Sequence, residues 1–162
     1  MAVQIARAFG AHVTGVCRTA NLDLVRSIGA DQVIDYTEED FTKNGQRHDL
    51  ILDMAGDRPL SDYRRALGPE GTLVMVGASG STSGHPDLRG LSRWLRALVI
   101  SAFGRQRLRA LIPTRSGDDL VALTELIEAG KLTPVISASY PLSEVPKAVH
   151  HFQEGHATGI TV

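Results

Sequence analysis

The chain has 162 residues, 43% of them hydrophobic and 22% charged, with a net charge of -1. This length and balance predict one soluble globular domain with a sizeable core, and they supply no electrostatic reason to expect nucleic acid or a membrane as partner. The single cysteine, Cys17, excludes an internal disulfide framework and a cysteine-rich zinc site and suits a reducing cytoplasm. The N-terminus lacks the order of a signal peptide. No apolar run approaches the ~20 residues that cross a bilayer.

Residues 1–10 (MAVQIARAFG) read as the back end of a helix. Residues 11–17 (AHVTGVC) are a short β-branched run and predict a buried parallel strand. Asn21 is the expected cap of a helix from Leu22 to Ile28, and Gly29 is its expected stop. Strands follow at Gln32 to Asp35 and Asp49 to Asp53, the second apolar on both faces. The acidic run Glu38, Glu39 and Asp40 predicts a helix N-terminus just before Phe41. Pro59 suits the first turn of a helix through Leu67, ended by Gly68 and Pro69. Residues 71–77 (GTLVMVG) are the most clearly buried strand candidate.

Residues 78–90 are a loop by composition. Leu91, Trp94, Leu95, Leu98, Val99, Ala102 and Phe103 then define an amphipathic helix. Leu108 to Ile112 is a fifth strand candidate, and a helix from Asp118 to Ala129 ends at Gly130. Val135 to Ser139 is a last strand, before a helix capped by Ser143 and stopped by Gly155. Strands separated by helices of this length imply an α/β fold: a parallel sheet, Rossmann-like, covered by helices on both faces.

Five segments carry a resemblance: residues 2–19, 25–36 (VRSIGADQVIDY), 49–56 (DLILDMAG), 65–78 (RALGPEGTLVMVGA) and 126–159. Together they resemble the medium-chain dehydrogenase/reductase superfamily, in its quinone-oxidoreductase-like and zinc-type alcohol dehydrogenase-like branches. The resemblance implies a first strand and a glycine-rich phosphate loop before residue 2, and a catalytic domain before those. The expected chain is thus an N-terminally truncated cofactor-binding part. Met1 is either an internal methionine of a longer enzyme or the start of a natural short form. The implied division is 1–134 as the incomplete NAD(P)-binding domain and 135–162 as a strand-helix segment packing toward the catalytic domain.

In such folds an acid at the end of the second strand holds the ribose 2′-hydroxyl of NAD, whereas an arginine favours the 2′-phosphate of NADP. The strand here ends in Cys17, Arg18 and Thr19 without an acid, so the expected cofactor is NADP(H), with NAD(H) the weaker alternative. By resemblance Tyr36 lies near the 2′-phosphate. Met54, Ala55 and Gly56, with Gly77 and Ala78, lie at carboxyl ends of strands, where the nicotinamide and its ribose belong. A lysine that many members carry after the final H-A-x-G is replaced here by Ile160.

No residue stands out as catalytic and no metal site is expected, because the six histidines are scattered and the adjacent His150 and His151 do not share a helix face. Seven arginines and no acid within residues 88–117 predict a solvated basic face rather than a nucleic-acid patch. Ser79, Ser81 and Ser83 with His85 lack a nucleophile elbow. The implied activity is hydride transfer to or from a small-molecule carbonyl, enone or quinone. A non-catalytic nucleotide-binding or assembly module is the alternative; a methyltransferase-like sheet is disfavoured by Arg18. The resemblance also implies a homodimer or larger assembly. Its sheet order puts the missing strand between those at 11–17 and 49–53, which leaves two open inner edges.

Overall fold

The computed structural model describes residues 1–54, 58–76, 105–111, 116–153 and 160–161. Their elements run α1 (Ala2–Ala8), β1 (Thr14–Cys17), α2 (Leu22–Ser27), β2 (Gln32–Asp35), β3 (His48–Asp53), α3 (Leu60–Ala66), β4 (Leu67–Val76), β5 (Arg107–Leu111), α4 (Gly117–Glu128), β6 (Ile136–Ala138), α5 (Val145–Gln153) and β7 (Ile160–Thr161). The helix expected over residues 91–103 and the loop before it lie outside the described residues. No described helix is long and apolar enough to cross a membrane.

Among the described residues all strand pairing is parallel, in keeping with the alternation of elements, and it forms three sheets: β1-β2, β3-β4-β5 and β6-β7. The chain divides into two compact units, residues 1–38 with 116–162 and residues 39–115.

In the first unit β1 and β2 pair from Thr14 opposite Gln32 to Cys17 opposite Asp35. Helix α2 returns close against β1. A Cβ on Gly15 would strike Val25 Cγ1, so the approach requires glycine at that position. Gly29 ends α2 with φ +100°, as expected of a helix stop. Asp31, just before β2, then ties α1 to the residue before β1: it accepts from Arg7 Nη1 of α1 at 2.8 Å and from Val13 N at 2.7 Å. The backbone donor at Val13 holds its carboxyl below the usual range, with Arg7 adding to the effect.

Two capping expectations are corrected. Asn21 makes no side-chain cap to α2, because a 3₁₀ turn over Thr19–Asn21 brings the chain into the helix already hydrogen-bonded through its backbone. Ser143 is not a cap but the middle of a second such turn, Leu142–Glu144, and α5 begins after it at Val145. The expected burial of the first strand is corrected too: Val16 is 40% exposed, and Gly15 is its buried residue.

In the second unit β4 is central and its Leu73 is fully buried between Ile51 of β3 and Leu108 of β5. Phe41, Tyr63, Ala66 and Leu67 complete the buried apolar set of this unit among the described residues. Helix α3 passes directly into β4, whose pairing with β3 jumps from Leu67 opposite His48 to Thr72 opposite Leu50. Gly71 sits in that irregularity, where a Cβ would lie 2.9 Å from the His48 carbonyl oxygen. The other face of β3 is open: Leu50 is 60% and Leu52 43% exposed.

Candidate functional site

Parallel strands end on the same side, so the residues that follow β1 and β2 meet. The ladder continues one step past the strands, with Tyr36 N donating to the Cys17 carbonyl. Arg18 is extended (φ −78°, ψ 158°) and then the 3₁₀ turn begins. This arrangement brings Arg18 Nε to Tyr36 Oη at 2.5 Å. The sequence-predicted residues Arg18, Thr19 and Tyr36 are all exposed here, at the carboxyl end of the β1-β2 pair. The phenol engages one face of the guanidinium fork, whose terminal nitrogens carry its remaining donors.

At the end of β2 is a group that sequence reasoning did not single out. Asp35 accepts from Thr19 Oγ1 through Oδ2, and from both the backbone N (2.9 Å) and Oγ1 (2.7 Å) of Thr37 through Oδ1. The Thr19 hydroxyl and then the two Thr37 donors hold its carboxyl below the usual range, so it is a carboxylate at neutral pH. As expected, β1 ends without an acid; the carboxylate Asp35 comes from the end of β2. The Asp-x-Thr spacing announces the local turn to Thr37. The bond to Thr19 spans 16 residues and exists only because β1 and β2 pair. Cys17, opposite Asp35, has its thiol pushed up by partial burial and by that carboxylate, against a smaller effect of Arg26. It is therefore mostly protonated at neutral pH.

In the second unit β3 ends in the buried Asp53, and Met54 beyond it is exposed at the carboxyl end of the strand. Ala55, Gly56, Gly77 and Ala78 lie outside the described residues. The chain re-enters at Arg58, whose Nη1 donates to Asp40 Oδ1 at 2.7 Å and whose guanidinium lies 5.3 Å from the centre of the Phe41 ring. The expectation that the acidic run starts a helix is corrected here. Residues 41–43 form a turn, and Asp40 holds it by accepting from Thr42 N and Oγ1 and pairing with Lys43. With the Thr42 hydroxyl as the largest cause, its carboxyl lies well below the usual range.

Among the described residues no group of three His, Cys, Asp or Glu side chains is arranged to hold a metal ion. Of the seven arginines in residues 88–117, Arg105, Arg107 and Arg109 are described, and all are exposed.

Residues 28–162 match the family described as zinc-binding dehydrogenase. The chain is 33% identical to a chloroplastic quinone-oxidoreductase of Triphysaria versicolor, over 98% of its own length and 46% of that protein's. It is 34% identical to a mitochondrial NAD(P)H oxidoreductase of Mus musculus, over 99% of its own length and 43% of the other's. The solved quinone oxidoreductase of Coxiella burnetii shares its fold with a TM-score of 0.74 at 25% identity, covering 99% of this chain and 47% of that one. The chain thus spans about half the length of the curated relatives it matches. The described residues do not fit the zinc ion of the family's description. The exposed Arg18 guanidinium, held at Nε by the Tyr36 phenol, is a donor that suits a phosphate-bearing dinucleotide.

Proposed function

The chain belongs to the zinc-binding dehydrogenase family, and on that premise we propose that it is the nucleotide-binding part of an NADP(H)-dependent oxidoreductase acting on a small carbonyl, enone or quinone. The observation that carries this reading is the Arg18–Tyr36 pair beyond the ends of two parallel strands. A guanidinium there attracts a phosphate dianion through charge and paired donors. Tyr36 orients the fork. Met54, Ala55, Gly56, Gly77 and Ala78 are proposed to border the nicotinamide and its ribose, where small residues let the ring approach. The nicotinamide, when bound, supplies hydride chemistry; this chain's residues supply binding and orientation.

A second reading is a non-catalytic nucleotide-binding or assembly module, which binds without turnover. The proposed division of the chain is 1–134 for the nucleotide-binding domain and 135–162 for a segment packing toward a catalytic domain. A homodimer or larger assembly is part of the proposal, as is a cytoplasmic location suggested by the lone Cys17; the two relatives above are named as chloroplastic and mitochondrial. Calorimetric titration of the 162-residue chain with NADPH, NADH and a methyl-donor analogue, followed by turnover assays with quinones and enals, tests the proposal. NADPH binding tighter than NADH is expected, with weak or no turnover. Binding of the methyl-donor analogue alone would overturn it, and robust turnover would overturn the binding-only reading.

A further inference from the structure

The chain has two asparagines, Asn21 and Asn44, and their surroundings differ. Asn44 is followed by Gly45, and both are exposed. Asn44 Oδ1 accepts from Gln46 N at 3.0 Å, which closes a side-chain turn that includes the Gly45 nitrogen. Gly45 has φ +82°, and a Cβ built there would meet nothing within 4 Å, so no neighbouring side chain shields that nitrogen. Among the described residues the Gly45 N–H makes no backbone hydrogen bond. Asn44 Nδ2 donates to Glu39 Oε1 at 3.2 Å. Asn21 is the contrast. It precedes the bulky Leu22, whose N–H is committed to the Thr19 carbonyl.

We propose that Asn44–Gly45 is a self-modification site, where the Gly45 nitrogen attacks the Asn44 side-chain amide and converts it to a carboxyl group. The Gly45 nitrogen gives its proton to solvent and bonds to Asn44 Cγ. Charge gathers on Oδ1, where the Gln46 N–H already stands as a donor. The Cγ–Nδ2 bond then breaks, and that nitrogen takes a proton from solvent and leaves as ammonia. Water adds to either carbonyl of the resulting succinimide and gives aspartate or isoaspartate at position 44. One water is consumed and one ammonia released, with no oxidant or reductant. The product exchanges the donor facing Glu39 for a carboxylate and extends the acidic run of Glu38, Glu39 and Asp40. An attraction becomes a repulsion next to the turn that holds Arg58 through Asp40.

The test is to age the full 162-residue chain at neutral pH and follow both asparagine-bearing peptides by mass spectrometry after proteolysis. The peptide with Asn44 should gain the mass of an amide-to-acid exchange about tenfold faster than the one with Asn21, a ratio that equals ~1.4 kcal/mol of barrier. It should separate into aspartate and isoaspartate forms of equal mass, the mark of the succinimide. Asn44→Gln keeps an amide but must close a larger ring, and Gly45→Ala places a methyl group beside the nitrogen. Each should slow the gain about tenfold; should Gly45→Ala fail to fold, Asn44→Gln decides. A gain at Asn44 no faster than at Asn21, aspartate without isoaspartate, or a rate that neither variant changes would overturn the proposal. Asn44→Asp reports the consequence. It should melt below the wild type at low salt and approach it at high salt, where the repulsion from Glu39 is screened. A melt equal to or above that of the wild type would overturn the weakening of the turn.

Discussion

Arg18 is exposed and held at Nε by Tyr36. A charge-assisted contact to a phosphate contributes about 1.5–3 kcal/mol when well ordered, so Arg18→Ala should weaken NADPH binding by about that much and leave NADH nearly unchanged. Equal losses for both would remove the 2′-phosphate assignment. Asp40 carries a different kind of prediction. Its carboxyl is held below its ordinary pKa by Thr42, Lys43 and Arg58. A depressed folded-state pKa contributes stability that is present above the ordinary carboxylate range and is lost as pH falls through the folded value. The second unit should therefore lose stability steadily on acidification below that range. Asp40→Asn should cost about 1–2 kcal/mol near neutral pH, allowing for partial solvent exposure, and flatten the acid limb. Denaturant melts between neutral and strongly acidic pH measure both; an unaltered acid limb would show that Asp40 is not the titrating group.

At the level of elements, the closeness of α2 to β1 rests on one missing side chain. A Cβ at Gly15 would strike Val25 Cγ1. Valine is stiff at χ1 and cannot swing aside freely. Gly15→Ala should destabilise the first unit by about 1–3 kcal/mol through overpacking. Val25→Ala creates room, so the double variant should recover much of that loss, beyond the sum of the single effects. Thermal melts of the four proteins close the cycle. Strict additivity would mean that the strand and helix separate to accept the methyl group.

For the whole molecule, strand pairing is the telling feature. β1 pairs with β2 and β3 with β4, and no described strand joins β1 to β3. An unpaired strand flank exposes N–H and C=O groups that invite pairing with another chain, and Leu50 and Leu52 add exposed apolar surface on β3. The chain should sediment as a dimer or larger species at micromolar concentration. A compact monomer would show that the flanks are satisfied within the chain.

Several features were legible from the chain alone because they depend on near neighbours. Gln32–Asp35 is a strand as expected. Gly29 and Gly130 stop their helices with positive φ because a left-handed residue without Cβ strain is needed there. The resemblance names Arg18 and Tyr36 for one site, but the bond between them comes from the pairing of β1 with β2. Capping was less legible: Asn21 and Ser143 are good cap residues, yet each lies within a 3₁₀ turn that leads into the helix. The role of Asp40 as a turn and arginine anchor, the exposure of Val16, Leu50 and Leu52, and the bond from Thr19 to Asp35 were not legible. Periodicity and propensity report which face of a segment is apolar. Only the pairing of strands distant in sequence decides what covers that face, and which carboxylate stands beside which hydroxyl.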